Sequence, residues 1–255
     1  MRARILITGA VIALILGASA FCSAGPLLTT SPATTEAPSD IHITGLGNNS
    51  AALWIAILLT FLTLIPSLLL CLTPFARILV VFHFLRQALG LQTTPSNQTL
   101  IGLALILTFF LIQPTGMSIY QQAVVPYQRG SLSLPQAWPR AVTPLRTFML
   151  HYVREKDVAL FVELSKEARP RDVNDISMRV LVPAYIVSEL HTGFQIGAVL
   201  FLPFLVIDMV VASVTTSIGM LQLPPVVIST PLKLLLFVMV DGWNLVIGSL
   251  MRSFT

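Results

Sequence analysis

Apolar and polar positions fall in long blocks along this chain. Apolar runs occupy Ala51–Leu72, Phe75–Leu89, Thr99–Ile112, Leu181–Val214 and Val226–Leu250. None alternates with a period of two, and their length favours helices over strands. Ala51–Leu72 matches the roughly 20 residues that a hydrocarbon core of about 30 Å requires, and Pro66 inside it predicts a kink. Thr73-Pro74 reads as an N-cap followed by proline at the first helical position, opening a second helix over Phe75–Leu89. The stretch "TTPSNQ" (93–98) breaks the chain before Thr99–Ile112, which is short for a span and is closed by Gln113-Pro114. Leu181–Val214 is long enough to cross a bilayer, and "GMLQLPP" (219–225) joins it to the last run.

Between these blocks the pattern changes. Arg129 to Arg179 holds 15 of the chain's 26 charged residues, nine basic and six acidic, which predicts a region facing water. Thr143-Pro144 reads as a helix start, and Leu145, Phe148, Met149, Tyr152 and Val153 follow at helical spacing. Phe161 and Leu164 lie on a second short helix begun at Asp157. The apolar stripe predicts a small helical core, with a partner-binding face as the alternative.

Composition fixes the class. Hydrophobic residues make up 55% of the 255, charged residues 10%, and the mean hydropathy is +0.84. A soluble domain carries about a quarter charged residues, so the chain reads as an all-α integral membrane protein. The net charge of +4 is modest and dispersed, which gives no support to nucleic-acid binding. Cys22 and Cys71 both lie in apolar stretches, so neither a disulfide framework nor a zinc site is expected.

Arg2 and Arg4 precede an apolar stretch, and Ala18-Ser19-Ala20 supplies an A-x-A cleavage site, so residues 1–24 read as a signal peptide. A second cleavage site follows Ala24, and an uncleaved first span is the alternative. Residues 25–50, rich in Thr, Ser, Pro and Gly, read as a flexible segment. The expected organisation then runs 51–117 as a first membrane hairpin region, 118–180 as a helical domain in water, and 181–255 as a second hairpin region. With residue 50 outside, the Arg77/Arg86 segment falls on the cytoplasmic side and 118–180 outside.

Enzyme signatures are missing: the sequence holds no H-E-x-x-H, G-x-S-x-G, P-loop or G-x-G-x-x-G pattern. Glu189 and His191, two apart, point in different directions on a helix and make no metal pair. No catalytic residue, metal or cofactor is expected. The informative residues are charges inside apolar runs, which mark functional or interhelical sites: Arg77, Arg86, Glu189, Asp208, Lys233 and Asp241. Asp208 and Asp241 near helix ends fit capping or an interfacial position, and Lys233 fits snorkelling. Glu189 lies deeper in its run and needs either a partner, Arg154 or Lys233, or a place beyond the hydrocarbon. Gly219 and Pro224-Pro225 bound a short apolar turn that is either an ordinary hairpin connection or a soft seal. Thr73-Pro74 followed by Arg77, and Thr230-Pro231 followed by Lys233, hint at a repeat.

"TPFARILVVFHFLRQALG" (73–90), "PSNQTLIGLALILTFF" (95–110), "PLRTFML" (144–150), "VPAYIVSELHTGFQIG" (182–197), "PFLVIDMVVASV" (203–214) and "LKLLLFVMVDGW" (232–243) together resemble the FliP family of flagellar biosynthetic proteins. Related forms of this family occur in virulence type III secretion. The resemblance covers about residues 51–255. It implies a bacterial inner-membrane subunit of the flagellar basal body with a periplasmic domain. It further implies a pentameric ring of copies with FliQ, FliR and other export-apparatus membrane proteins, passing unfolded flagellar subunits. On the matching positions, it implies subunit contacts at Phe148 and Phe161, and a charged tie between Arg154 and Glu189. It also implies a constriction at Met220, Leu221, Gln222 and Leu223. Where the family often has three consecutive methionines, this chain reads Met220-Leu221-Gln222, so the resemblance leaves the seal to Met220 with Leu221 and Leu223. A proton-coupled small-solute transporter using Glu189 or Asp208 is the alternative reading.

Overall fold

The computed structural model describes residues 50–254 apart from 167–169, 171 and 220–223. The expected signal peptide and nearly all of the flexible segment that follows it lie outside the described residues. So do Met220, Leu221, Gln222 and Leu223.

Helix α1 (Ser50–Cys71) runs through Pro66 without a break. Helix α2 (Phe75–Ala88) begins one residue later than expected, because Pro74 occupies the N-cap. Thr73 instead donates to Leu70 O at 2.7 Å. Helix α3 (Asn97–Ile119) is capped by Ser96, whose Oγ accepts from the Thr99 N–H. It does not stop at Gln113-Pro114. A π turn over Tyr120–Val124 and a short α4 (Val125–Gln128) continue it, giving one helical stretch over Asn97–Gln128. A proline removes one N–H and bends a helix, and a continuous apolar flank keeps the remaining turns together. Length therefore exceeds what the apolar run alone suggested.

Gly130, at φ +71, turns the chain back. Helix α5 (Leu134–Tyr152) starts at a capping box of Ser133 with Gln136, not at Thr143-Pro144, and passes through Pro139 and Pro144. Helix α6 (Glu155–Ser165) follows after Arg154 at its N-cap, two residues before the expected start. Helix α7 (Met178–Ser217) is a single rod of 40 residues, about 60 Å at 1.5 Å per residue. Helix α8 (Pro225–Met239) and helix α9 (Gly242–Arg252) meet at 67°. The expected boundaries at 117/118 and 180/181 thus fall inside helices. All regular elements among the described residues are helical.

Among the described residues, three helices are long and apolar enough to cross a membrane: Leu53–Cys71, Asn97–Gln128 and Met178–Ser217. The bent pair α8–α9 makes a fourth if it is one span. Helix α2 is not among them. It is the buried hub, with Ile78, Val81, Phe82 and Leu85 packed against Leu100 and Ala104 of α3, Phe204 of α7 and Phe237 of α8. A second cluster joins Leu72, Met149 of α5, Ile176, and Val180, Leu181 and Tyr185 of α7.

In lipid, where tails are as apolar as leucine, helices associate by close packing and not by escape from water. Gly193 and Gly197 of α7 provide it, one turn apart against α2. A Cβ on Gly193 would meet the Arg77 backbone at 3.3 Å, and one on Gly197 would meet the Phe84 ring at 2.6 Å. Gly197→Ala should therefore lower the unfolding midpoint in detergent, with a cost of about 1–3 kcal/mol for overpacking. Gly248→Ala, which meets open space, should leave the midpoint in place. A Phe84→Ala/Gly197→Ala pair should recover part of the loss, measured by thermal unfolding of the purified chain.

Candidate functional site

Two ion pairs join α7 to its neighbours, one at each end of α2. At the first, Arg77 Nη2 donates to Glu189 Oε1 at 2.5 Å, with both side chains almost fully buried. Arg77 Nη1 donates to Ser253 O at 3.2 Å and to Ser253 Oγ at 3.1 Å, and the guanidinium stacks 3.9 Å from the centroid of the Phe254 ring. Tyr152 Oη donates to Phe254 O at 2.6 Å. One cation thus ties α2, α7 and the segment after α9, while Tyr152 adds α5. Arginine suits this place because its planar fork serves several acceptors and still stacks on a ring.

Glu189 was expected to pair with Arg154 or Lys233. Within the chain its partner is Arg77. Arg154 meets α7 through its backbone: its N–H donates to Ser188 Oγ at 3.0 Å. The two arginines are not distinguishable by charge counting, and only the packing of α2 on Gly193 brings Arg77 within reach. Tyr185, one turn before Glu189, is fully buried, and its Oη, Glu189 Oε2 and Arg77 Nε have no protein hydrogen-bond partner.

At the second joint Lys233 Nζ donates to Asp208 Oδ2 at 2.5 Å and to Ala88 O at 2.9 Å. Ser229 Oγ donates to Asp208 Oδ1 at 2.6 Å. Lys233 is buried, with its side chain 2% exposed against 34% for Asp208, so it does not snorkel. Next to this joint Gly90 turns the chain at φ +72, with Thr230 Oγ1 and Val226 close enough that a Cβ would strike the threonine. Arg77 and Lys233, which each follow a Thr-Pro pair, thus both hold a carboxylate of α7. The Thr-Pro pairs themselves differ: Thr73-Pro74 precedes its helix, whereas Thr230-Pro231 is inside α8.

Arg86 donates to Pro95 O and, at 2.6 Å, to Asn97 Oδ1. Asp241 is exposed and left-handed at φ 51, and accepts from Asn244 Nδ2 at 3.2 Å. It occupies the N-cap position of α9, but its side chain accepts from the Asn244 side-chain amide and from no helix N–H. Phe148 lies with its ring centroid 4.9 Å from that of Tyr152 and 6.3 Å from that of Tyr185. Phe161 packs against the same cluster, and both are half-buried.

Loop charge grouped Arg77 with Arg86. It separated Arg77 from the 118–180 region across the membrane, yet Arg77 meets Glu189 beside Ser188, Tyr152 and the second cluster. The counting treated Arg77 and Arg86 as one segment, whereas they lie toward opposite ends of α2, which has 14 residues, about 21 Å. Among the described residues, no group of three or more His, Cys, Asp or Glu side chains is placed to hold a metal ion.

The geometry is that of two charged joints between packed helices. The FliP family model matches residues 58–250. The chain belongs to the FliP family. It is 47% identical over 207 residues to the "Flagellar biosynthetic protein FliP" of Bacillus subtilis (strain 168), covering 81% of this chain and 94% of that protein. Against the protein of the same name from Pectobacterium carotovorum the identity is 48% over 198 residues, 78% of this chain and 77% of the relative. Against that of Caulobacter vibrioides it is 46% over 226 residues, 88% of this chain and 85% of the relative. The charged residues of both ion pairs fall within the family match.

For this FliP-family chain, removing one partner of the buried pair leaves an uncompensated charge, a loss of about 3–5 kcal/mol. Arg77→Ala and Glu189→Ala should each abolish a monodisperse peak in detergent, while Arg77→Met/Glu189→Leu should restore part of it. Arg154→Ala should leave the peak of the isolated chain unchanged, since its contact with Ser188 within the chain is made by the backbone. Tyr185→Phe should be neutral or stabilising in a thermal melt, because it deletes an unpartnered buried hydroxyl.

Proposed function

We propose that this chain is a pore-forming core subunit of the flagellar type III protein export gate. Several copies, pentameric as the resemblance implies, form a ring with FliQ and FliR in the bacterial inner membrane. Other export-apparatus membrane proteins surround the ring at the flagellar basal body. Unfolded flagellar subunits pass through it, with the 118–180 region on the periplasmic side.

One observation carries this reading. Exposed apolar side chains run along α7 from Val187 to Ile218, a length of about 46 Å at 1.5 Å per residue. A hydrocarbon core covers only about 30 Å. Lipid alone cannot cover the remainder, so neighbouring protein must. The half-buried Phe148 and Phe161 supply further contact surface in the charged region. Arg154, whose backbone meets Ser188, has a side chain suited to a tie between subunits. Met220, Leu221, Gln222 and Leu223, between α7 and α8, supply the constriction. The transporter reading gains nothing from the cavities: those beside α5–α6, along α8 and between α3 and α5 are lined by neither Glu189 nor Asp208. Both carboxylates are engaged by fixed cations.

The test is purification of the intact complex with a mass measurement. The expected result is a particle holding several copies of this chain together with small membrane partners. A stable lone monomer or dimer that exchanges a small solute in vesicles would overturn it.

A further inference from the structure

Helix α2 is enclosed around most of its circumference, with Arg77, Ile78, Val81, Phe82, Leu85 and Ala88 buried. One stripe is open at His83 and Gln87 and borders α7 at Val80, which lies against Gly193. Ala76, Val80, His83 and Gln87 recur at helical spacing within an arc of about 60°. His83 and Gln87 are exposed, and Ala76 and Val80 are half-buried. The neighbouring α3 exposes only apolar side chains over its middle turns: Ile101, Ile106, Phe109 and Phe110. Arg86 reaches Asn97, so Gln87 lies level with the exposed polar opening turn of α3 (Asn97, Gln98 and Thr99), while His83 lies level with Leu100 and Ile101.

A surface of isoleucine and phenylalanine suits lipid. A histidine and a glutamine one turn apart do not, since hydrocarbon offers their imidazole and amide no partner. At the level of His83, α3 exposes Ile101 to its surroundings while α2 exposes an imidazole, so the two sides of that layer differ in polarity. No carboxylate lies on the open stripe, and Arg86 turns aside to Pro95 and Asn97. A comparable pair on α7, His191 and Gln195, lies on the side away from α2. It sits within two turns of Glu189, close to the charged region, where polar surroundings are at hand.

We propose that the α2 stripe of Ala76, Val80, His83 and Gln87 lines the water-filled conduit, and that unfolded polypeptide moves along it. This rests on the reading of the chain as an export-gate subunit. An imidazole and an amide donate to and accept from any peptide group. Ala76 and Val80, further along the stripe toward the start of α2, offer no deep pocket, and no fixed carboxylate holds the passing chain. The stripe ends beside Gly90, where Thr230 and Val226 of α8 close in.

The test uses the intact complex in nanodiscs, with Cys22→Ala and Cys71→Ala as background. Single changes A76C, V80C, H83C and Q87C are compared with I106C and F110C on α3. The probe is a water-soluble, charged methanethiosulfonate, followed by mass spectrometry. H83C and Q87C should react at least about tenfold faster than the α3 controls, as expected for water against hydrocarbon. Four positions guard against one that fails to assemble. Rates equal to the α3 controls overturn the proposal. So does copper-catalysed cross-linking of H83C between copies with protection from the reagent, which would make the stripe a subunit contact. A complex of correct mass with unreactive cysteines sinks the conduit stripe alone, whereas a lone monomer sinks the gate reading itself.

Discussion

The buried contact between Arg77 and Glu189 is the constraint on which the rest of the structure depends. Two charges taken out of water are stable only with good geometry and further hydrogen bonds. Here the geometry is supplied by Gly193, whose missing side chain lets α7 approach the Arg77 backbone. The further partners are Ser253 and the Phe254 ring. Because one guanidinium serves all of them, α2, α7 and the residues after α9 cannot shift independently. Tyr152 extends the same lock to α5 through Phe254. Burial without full compensation makes such a pair a device for specifying one arrangement more than for adding stability.

A second lock repeats the logic at the other end. Lys233 holds Asp208 and the last carbonyl of α2, so α8 is pinned where α2 ends. Glu189 and Asp208 are nineteen residues apart on α7, about 28 Å along its axis. That separation is close to the thickness of a hydrocarbon core. The hub of α2 with α3, α7 and α8 is therefore clamped at both ends, while α1 and the outer faces of α3, α7 and α8 remain open. A chain built this way is rigid inside and unfinished outside, which is the character of a subunit.

The blocks of apolar residues made the helical class and the membrane setting legible. The intramembrane charges identified the residues at both joints, because a charge in an apolar run needs a reason. Proline was the poor guide. Pro66, Pro114, Pro139, Pro144 and Pro203 all lie inside helices. A neighbouring helix or a wider turn offsets the one lost hydrogen bond, and the sequence does not show that neighbour. Thr143-Pro144 and Gln113-Pro114 misled for this reason. Phe148 and Phe161 were legible as an apolar stripe, and the structure shows which cluster that stripe meets.

By itself the sequence determined that the chain is helical, apolar and charged at a few deep positions, since period, hydropathy and charge are local quantities. It also determined the family, through motifs spread in order along most of its length. Only the tertiary structure decided which charge meets which. Arg77 and Arg154 are equal candidates in the chain, and the choice depends on helix approach distance, which two glycines set on one face of α7. Only the tertiary structure made α2 a hub, because burial by neighbours is a property of the assembled helices and not of any one of them.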